Sequence, residues 1–135
     1  MSLYIADTVR CQNPNTFMSN MLYSLSILYK SKLPLIIVFN KIDTLDHQFA
    51  EKWMKDRDEF EAALKLEDKY LSSLSRSMSL ALDDYYCNVL SIGVSASTGK
   101  GFDAQLLAKF EEGKKEYCEI FLPEIEAKIN AAAKT

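Results

Sequence analysis

Three short apolar runs constrain this chain more than anything else in it: LYIAD at 3–7, LPLIIVFN at 33–40 and NVLSIGVS at 88–95. Each is continuous instead of alternating, the pattern of a strand buried on both faces, and each gives way to polar residues at its C-terminal end. Strands of that kind belong in a parallel sheet covered by helices, so a three-layer α/β fold with a short sheet of about three strands is expected. Helical spacing fills the gaps between them. FMSNMLYSLSILYK at 17–30 puts Phe17, Met21, Leu25 and Leu28 on one face, with Asn13-Pro14-Asn15-Thr16 ahead of it as a start signal. Two more helices are predicted over 46–65 and 69–86. A last helical region follows Gly101 and should break or kink at Pro123. Sheets usually carry about five or six strands, so with three candidates the sheet is expected to lack strands.

At 135 residues and 48% hydrophobic, the chain fits one domain with a sizeable core. A formal charge of −3, with no basic cluster denser than Lys114-Lys115, argues against nucleic acid or an anionic membrane as a direct partner. The run LPLIIVF at 33–39 is too short to span a bilayer, and no basic segment precedes the first strand, so a cytosolic or nuclear setting is expected. Cys11, Cys87 and Cys118 are odd in number and lack C-x-x-C spacing, which suggests reduced packing residues instead of a disulfide framework or zinc site.

The stretch GVSASTGKG at 93–101 invites a phosphate-loop reading and fails it. The first glycine stands six positions before Gly99 instead of five, and Gly101 replaces the metal-binding hydroxyl that should follow Lys100. A better candidate is Asn40-Lys41-Ile42-Asp43 at the end of the second strand, where open α/β sheets place their ligands. An ionised Asp43 can accept two parallel hydrogen bonds from N1–H and the exocyclic amine of guanine, while adenine has no N1 donor to offer. Asn40 can bond the base and tie neighbouring loops, and the Lys41 stem can lie over the ring. In P-loop GTPases the next strand ends in a Ser-Ala pair whose backbone N–H meets guanine O6, and Ser95-Ala96 stands in that place. Gly99-Lys100-Gly101 is then the turn into the following helix.

Longer runs narrow the resemblance. NPNTFMSNMLYSLSILYKSKLP, HQFAEKWMKD and LSRSMSLALDDYY, with NKID and VSAST, closely resemble the GPN-loop GTPases, especially the type linked to RNA polymerase II assembly and nuclear import. The resemblance covers residues 4–110 and loosens beyond about residue 113. It implies a partial P-loop NTPase fold, with residues 1–135 as the C-terminal, guanine-recognition part of a single GTPase domain. It implies GTP or GDP as ligand, with Mg²⁺ in the parent protein, and a homo-oligomer or paralogue heterodimer that shuttles between cytoplasm and nucleus. The family's Walker A loop, first switch, Gly-Pro-Asn insertion and metal-side aspartate all precede the strand that LYIAD resembles, and none is among these residues. Asn13-Pro14-Asn15 is a helix-entry turn and not that insertion. With guanine-binding residues Asn40, Lys41, Asp43, Ser95 and Ala96 but no catalytic or metal residues, the chain alone is expected not to hydrolyse GTP. The competing expectation is a non-enzymatic dimerisation or docking module with a vestigial NKxD motif.

Other residues read as structural. His47 suits a helix start or a packing site, since no ligand cluster accompanies it. Trp53, Met54 and Phe60 form a helix-core stripe. Arg76 suits a structural or docking role. The unpaired edge of the LYIAD strand is expected to favour self-association.

Overall fold

The computed structural model describes residues 1–66 and 69–134. Strands β1 (Ser2–Asp7), β2 (Leu35–Asn40) and β3 (Leu90–Gly93) form one parallel sheet in the order β1-β2-β3. Helix α1 (Pro14–Ser31) crosses from β1 to β2. Its start follows from its sequence: Asn13 caps it by accepting hydrogen bonds from Asn15 N at 3.0 Å and Thr16 N at 3.1 Å, and Pro14 occupies the first turn. Asn13-Pro14-Asn15 is therefore the helix-entry turn that its residues suggest.

Helices α2 (Gln48–Lys55), α3 (Arg57–Leu64) and α4 (Lys69–Asn88) lead from β2 to β3. The single helix expected over 46–65 is two helices, because Asp56 leaves the helical conformation and caps α3, its carboxylate accepting from Asp58 N at 3.0 Å. The bend has a packing consequence. In a straight helix, residues seven apart are about 10 Å apart along the axis, yet the rings of Trp53 and Phe60 sit 5.6 Å apart, edge to face. Both also meet Phe17 of α1. The stripe is core, as its spacing implies.

Side chains of β2 alternate between two cores. Ile37 and Phe39 face α1, α3 and α4 with Phe17, Met21, Leu64 and Leu82, whereas Ile36 and Val38 face Ile92, Val94 and the Leu106 and Phe110 side chains of α5 (Ala104–Glu116). Each fully buried side chain of this size contributes about 1.5–3 kcal/mol. A buried polar pair joins α1 to α4: the Tyr85 hydroxyl lies 2.8 Å from Ser24 Oγ, which itself donates to the Met21 carbonyl at 2.7 Å.

The first strand departs from its reading. β1 is not buried on both faces: Leu3 is 46% exposed and Ile5 65%. Tyr4 and Ala6 turn toward α1, but α5 packs mainly on β2 and β3, so the opposite face of β1 stays largely exposed. The last helical region is interrupted just before Pro123, as expected: α5 gives way to a π-helical turn over Tyr117–Phe121, and α6 (Leu122–Ala133) starts with the proline in its first turn.

Candidate functional site

The three strand ends meet along one rim of the sheet. Pairing runs as far as Asp7 opposite Asn40 and Phe39 opposite Gly93, so the residues that follow emerge side by side. NKID stands at the centre of that rim. The chain turns sharply after Asn40, with Lys41 at φ +66°. A positive φ in a residue with a side chain costs roughly 1–3 kcal/mol and persists only where its surroundings fix it. Here the Lys41 carbonyl accepts from Thr44 N at 3.0 Å and Leu45 N at 3.2 Å, and Ile42 N donates to the Val94 carbonyl at 3.2 Å.

Asn40 ties three segments together. Its Oδ1 accepts from Lys41 N at 2.8 Å and from Ala96 N at 3.1 Å, and its backbone carbonyl accepts from the N–H and the hydroxyl of Thr8. The Ala96 N–H is thus already engaged, and a ligand oxygen placed there would share it with Asn40.

Asp43 is held by two serines. Ser95 Oγ donates to its Oδ1 at 2.7 Å and Ser97 Oγ to its Oδ2 at 3.3 Å. These hydroxyls, Ser95 foremost, hold the Asp43 carboxyl below the usual carboxylate range, so at neutral pH it is an acceptor only. Two carboxylate oxygens offer about four lone-pair sites. The two hydroxyls do not exhaust those sites, and at 3.3 Å the Ser97 contact is the weaker of the two.

Lys41 is half exposed along its side chain but tied down at its end. Its Nζ donates to Asp7 Oδ2 at 2.8 Å, while Asp7 Oδ1 accepts from Val9 N at 3.0 Å and, more weakly, Arg10 N at 3.5 Å. That ammonium, through its hydrogen bond, is the main reason the Asp7 carboxyl is also lowered. Asn40, Lys41, Asp43, Thr44, Ala96 and Ser97 line an open cleft of about 280 Å³. The arrangement can receive a flat ring bearing two adjacent N–H donors. A larger cleft of about 900 Å³ lies behind these loops along β3 and between α2 and α5. Its lining mixes carboxylates and lysines, Glu51, Asp103, Lys109 and Glu112 among them, without a convergent set, so the smaller cleft is the better candidate.

GVSASTGKG forms the far wall of the cleft and the turn into α5. Ser95 N donates to the Lys100 carbonyl at 2.8 Å and Gly99 N to the Ser95 carbonyl at 2.9 Å, with Gly99 and Gly101 both at positive φ. Asp103 then caps α5, accepting from Gln105 N at 3.0 Å.

The structure brings four of the five sequence-predicted residues, Asn40, Lys41, Asp43 and Ala96, to the lining of one cleft, with Ser95 fully buried behind Asp43, and adds Ser97 to the lining and Asp7 and Thr8 beside it. Sequence reasoning passed over these three. Ser97 repeats the Ser95 side-chain direction two residues on, and Asp7 ends the first apolar run as Asn40 ends the second; parallel register would have paired them. His47 lies apart from the cleft as a packing residue. Its ring stacks on Phe39 at 6.0 Å and sits over Gly93, with Nε2 3.1 Å from Glu51 Oε1. Nδ1 is buried and makes no hydrogen bond among the described residues, although Asp46 Oδ1 is 3.4 Å away, because the alignment is wrong for one. Arg76 lies 3.9 Å from Glu61 and links α4 to α3. Cys11 is buried as expected, but Cys87 and Cys118 are exposed, so packing accounts for one cysteine of the three.

Residues 1–114 match the sequence pattern of a family described as a conserved hypothetical ATP binding protein. Among curated proteins, the chain is 45% identical over 92% of its length to GPN-loop GTPase 1 of Dictyostelium discoideum. It is 46% identical over 91% to GPN-loop GTPase QQT2 of Arabidopsis thaliana, and 44% identical over 97% to GPN-loop GTPase 1 of Saccharomyces cerevisiae. The chain spans about a third of the length of these relatives: 31%, 32% and 36%. A GTPase from Pyrococcus abyssi, solved in its apo form, superposes with a TM-score of 0.63 at 24% identity, covering 81% of this chain and 45% of that one. The shared fold is the parallel, helix-covered arrangement of a P-loop GTPase, of which three strands are present here.

Proposed function

The chain belongs to the family of the GPN-loop GTPases, and on that footing we propose that its strand-end cleft is the guanine-recognition part of a GTPase nucleotide site. The observation that carries this reading is the convergence of an ionised Asp43 carboxylate, the Asn40 side chain and the Ala96 N–H on one small cleft. Asp43 would accept from guanine N1–H and the 2-amino group through the lone pairs that Ser95 and Ser97 leave open. Adenine, with neither an N1–H nor a 2-amino group, would leave both of those acceptors unpaired, and unpaired groups of that kind make a site discriminating. The Ala96 N–H would serve O6, shared with Asn40, and the Lys41 stem would lie along the ring.

In the whole protein this cleft would serve GTP hydrolysis. Phosphoryl transfer draws on a phosphate-cradling loop, a lysine and Mg²⁺, and the 135 residues contain no G-x-x-x-x-G-K-[ST] run. The chain by itself is therefore proposed to bind the base without turning over GTP, as the C-terminal, guanine-recognition part of a single GTPase domain. The resemblance of FMSNMLYSLSILYK and RSMSL supports a parent acting in RNA polymerase II assembly or nuclear import, as a homo-oligomer or paralogue heterodimer moving between cytoplasm and nucleus. The largely exposed apolar face of β1 favours a second reading, in which this part of the chain serves chiefly as a dimerisation or docking module.

The test is a calorimetric titration with GDP and, in parallel, ADP. GDP binding that disappears in Asp43→Ala, with no heat from ADP, is the expected result. Equal binding of both nucleotides, or of neither, removes the guanine reading.

A further inference from the structure

Lys41 combines two features that call for a common cause: a strained backbone and a side chain, still half exposed, whose ammonium is held on one carboxylate. Its φ of +66° is fixed from the backbone side by Asn40 Oδ1 and by the turn closing on its own carbonyl. From the side-chain side it is fixed by Asp7, whose two oxygens divide their duties. Oδ1 is occupied by the N–H groups of Val9 and Arg10, which anchors the carboxylate in the turn that ends β1. Oδ2 is left for the ammonium, 2.8 Å away, with Arg10 Nε more distant at 3.9 Å.

We propose that Asp7 is a positioning residue for the base cleft: anchored at the end of β1, it holds the Lys41 ammonium so that the lysine stem forms a fixed wall for a guanine ring. The inference rests on the reading of the cleft as a guanine site and extends that site to a third strand end. A free lysine loses much rotamer freedom when it lies on a ring. A stem already held by its charged end has part of that freedom removed before the nucleotide arrives. Asp7 therefore acts through Lys41 and touches no part of the base, and it should strengthen binding without setting the choice between guanine and adenine, which belongs to Asp43.

The experiment is a GDP titration followed by backbone amide NMR shifts in the full chain, with Asp7→Asn, Lys41→Met and the pair combined. Asparagine keeps the Oδ1 acceptor for Val9 and Arg10 but cannot pair with an ammonium, and methionine keeps an unbranched stem without the charge. Asp7→Asn and Lys41→Met should each weaken GDP binding about three- to fivefold, the range of an exposed ion pair. The double variant should be no weaker than either single one, and Asp7→Glu should recover part of the loss. Losses that multiply in the double variant would overturn the proposal, as would an Asp7→Asn chain that binds like the parent. A second readout needs no nucleotide: the side-chain carboxyl ¹³C shift of Asp7, followed against pH, should titrate below the usual range and rise in Lys41→Met, partly offset by Arg10. If that titration does not respond to Lys41, the positioning contact is absent whatever GDP does. If it responds while the unaltered chain shows no GDP-dependent shifts, the contact exists, the guanine reading fails, and the positioning role falls with it.

Discussion

Ser95 Oγ donates to Asp43 Oδ1 across 2.7 Å, joining the end of β3 to the turn after β2 through two residues 52 positions apart. Ser95 is fully buried while Asp43 is exposed, so the buried hydroxyl sets the rotamer of the exposed carboxylate. Its donation is also the largest cause holding the Asp43 carboxyl below its ordinary value of 3.8.

A pH dependence follows from that pair. The ionised form of Asp43 is the one that can accept from guanine, and its pKa is depressed, so the acceptor is present above that pKa and is lost as pH falls through it. GDP affinity should be flat from pH 8 down to about 5 and should fall only below the ordinary carboxylate range. Ser95→Ala should move the fall to higher pH and weaken binding roughly tenfold at pH 7 through loss of a charge-assisted hydrogen bond. Calorimetry across the pH range, with circular dichroism as a check that the fold survives, reads both effects. A fall already under way near pH 6 in the unaltered chain would count against an ionised Asp43 as the acceptor.

His47 and Gly93 give a test of packing against chemistry. A Cβ on Gly93 would lie only 2.2 Å from His47 Nδ1, so alanine cannot enter unless the imidazole leaves. Gly93→Ala should cost about 1–3 kcal/mol by overpacking. Made in a His47→Ala background it should cost far less, because the space is vacated and an unsatisfied buried nitrogen goes with it. Urea denaturation of the four chains measures the coupling, and strictly additive costs would remove the packing account of His47.

Gly101 and Gly99 should respond differently to the same substitution. Both have positive φ, +88° and +79°. A Cβ at Gly101 would meet the Gly93 carbonyl oxygen at 2.5 Å, whereas one at Gly99 would meet nothing within 4 Å. Gly99→Ala should therefore show only the conformational cost, about 1–2 kcal/mol, while Gly101→Ala adds a backbone displacement worth a further 1–3 kcal/mol or so. Thermal denaturation ranks the two; Gly99→Ala as the more damaging change would show that the loop is held differently.

Much of this was legible from local pattern. Continuous runs gave β2 and β3, helical spacing gave α1, and Asn13-Pro14 marked its start, because capping and burial on one face are written in neighbouring residues. Misreadings fell where distant elements decide. LYIAD has the composition of a doubly buried strand, but whether its second face is covered depends on how far α5 reaches, which the run cannot state. Asp56 looks like any helix-surface acid until Phe60 must reach the same core as Trp53. The site followed the same division. Asn40, Lys41 and Asp43 are adjacent and form a motif, while Asp7 and Ser97 reach the cleft only through strand register and loop closure.

The exposed face of β1 yields the last prediction. Ile5 is 65% exposed and Leu3 46%, on a strand whose outer edge has no pairing partner among the described residues. An apolar, unpaired edge of that kind is a template for another strand. The chain should self-associate as its concentration rises, through this edge, in a form that sedimentation velocity resolves from the monomer. Ile5→Lys puts a charge on the exposed face, where surface substitutions alter stability by less than about 0.5 kcal/mol, so it should shift the distribution toward monomer while leaving the circular dichroism spectrum and melting temperature nearly unchanged. A chain that stays monomeric at high concentration would dismiss the edge as an interface between copies. A lysine variant that associates as strongly as the parent would move the interface elsewhere, with the exposed helix α6 the next surface to alter.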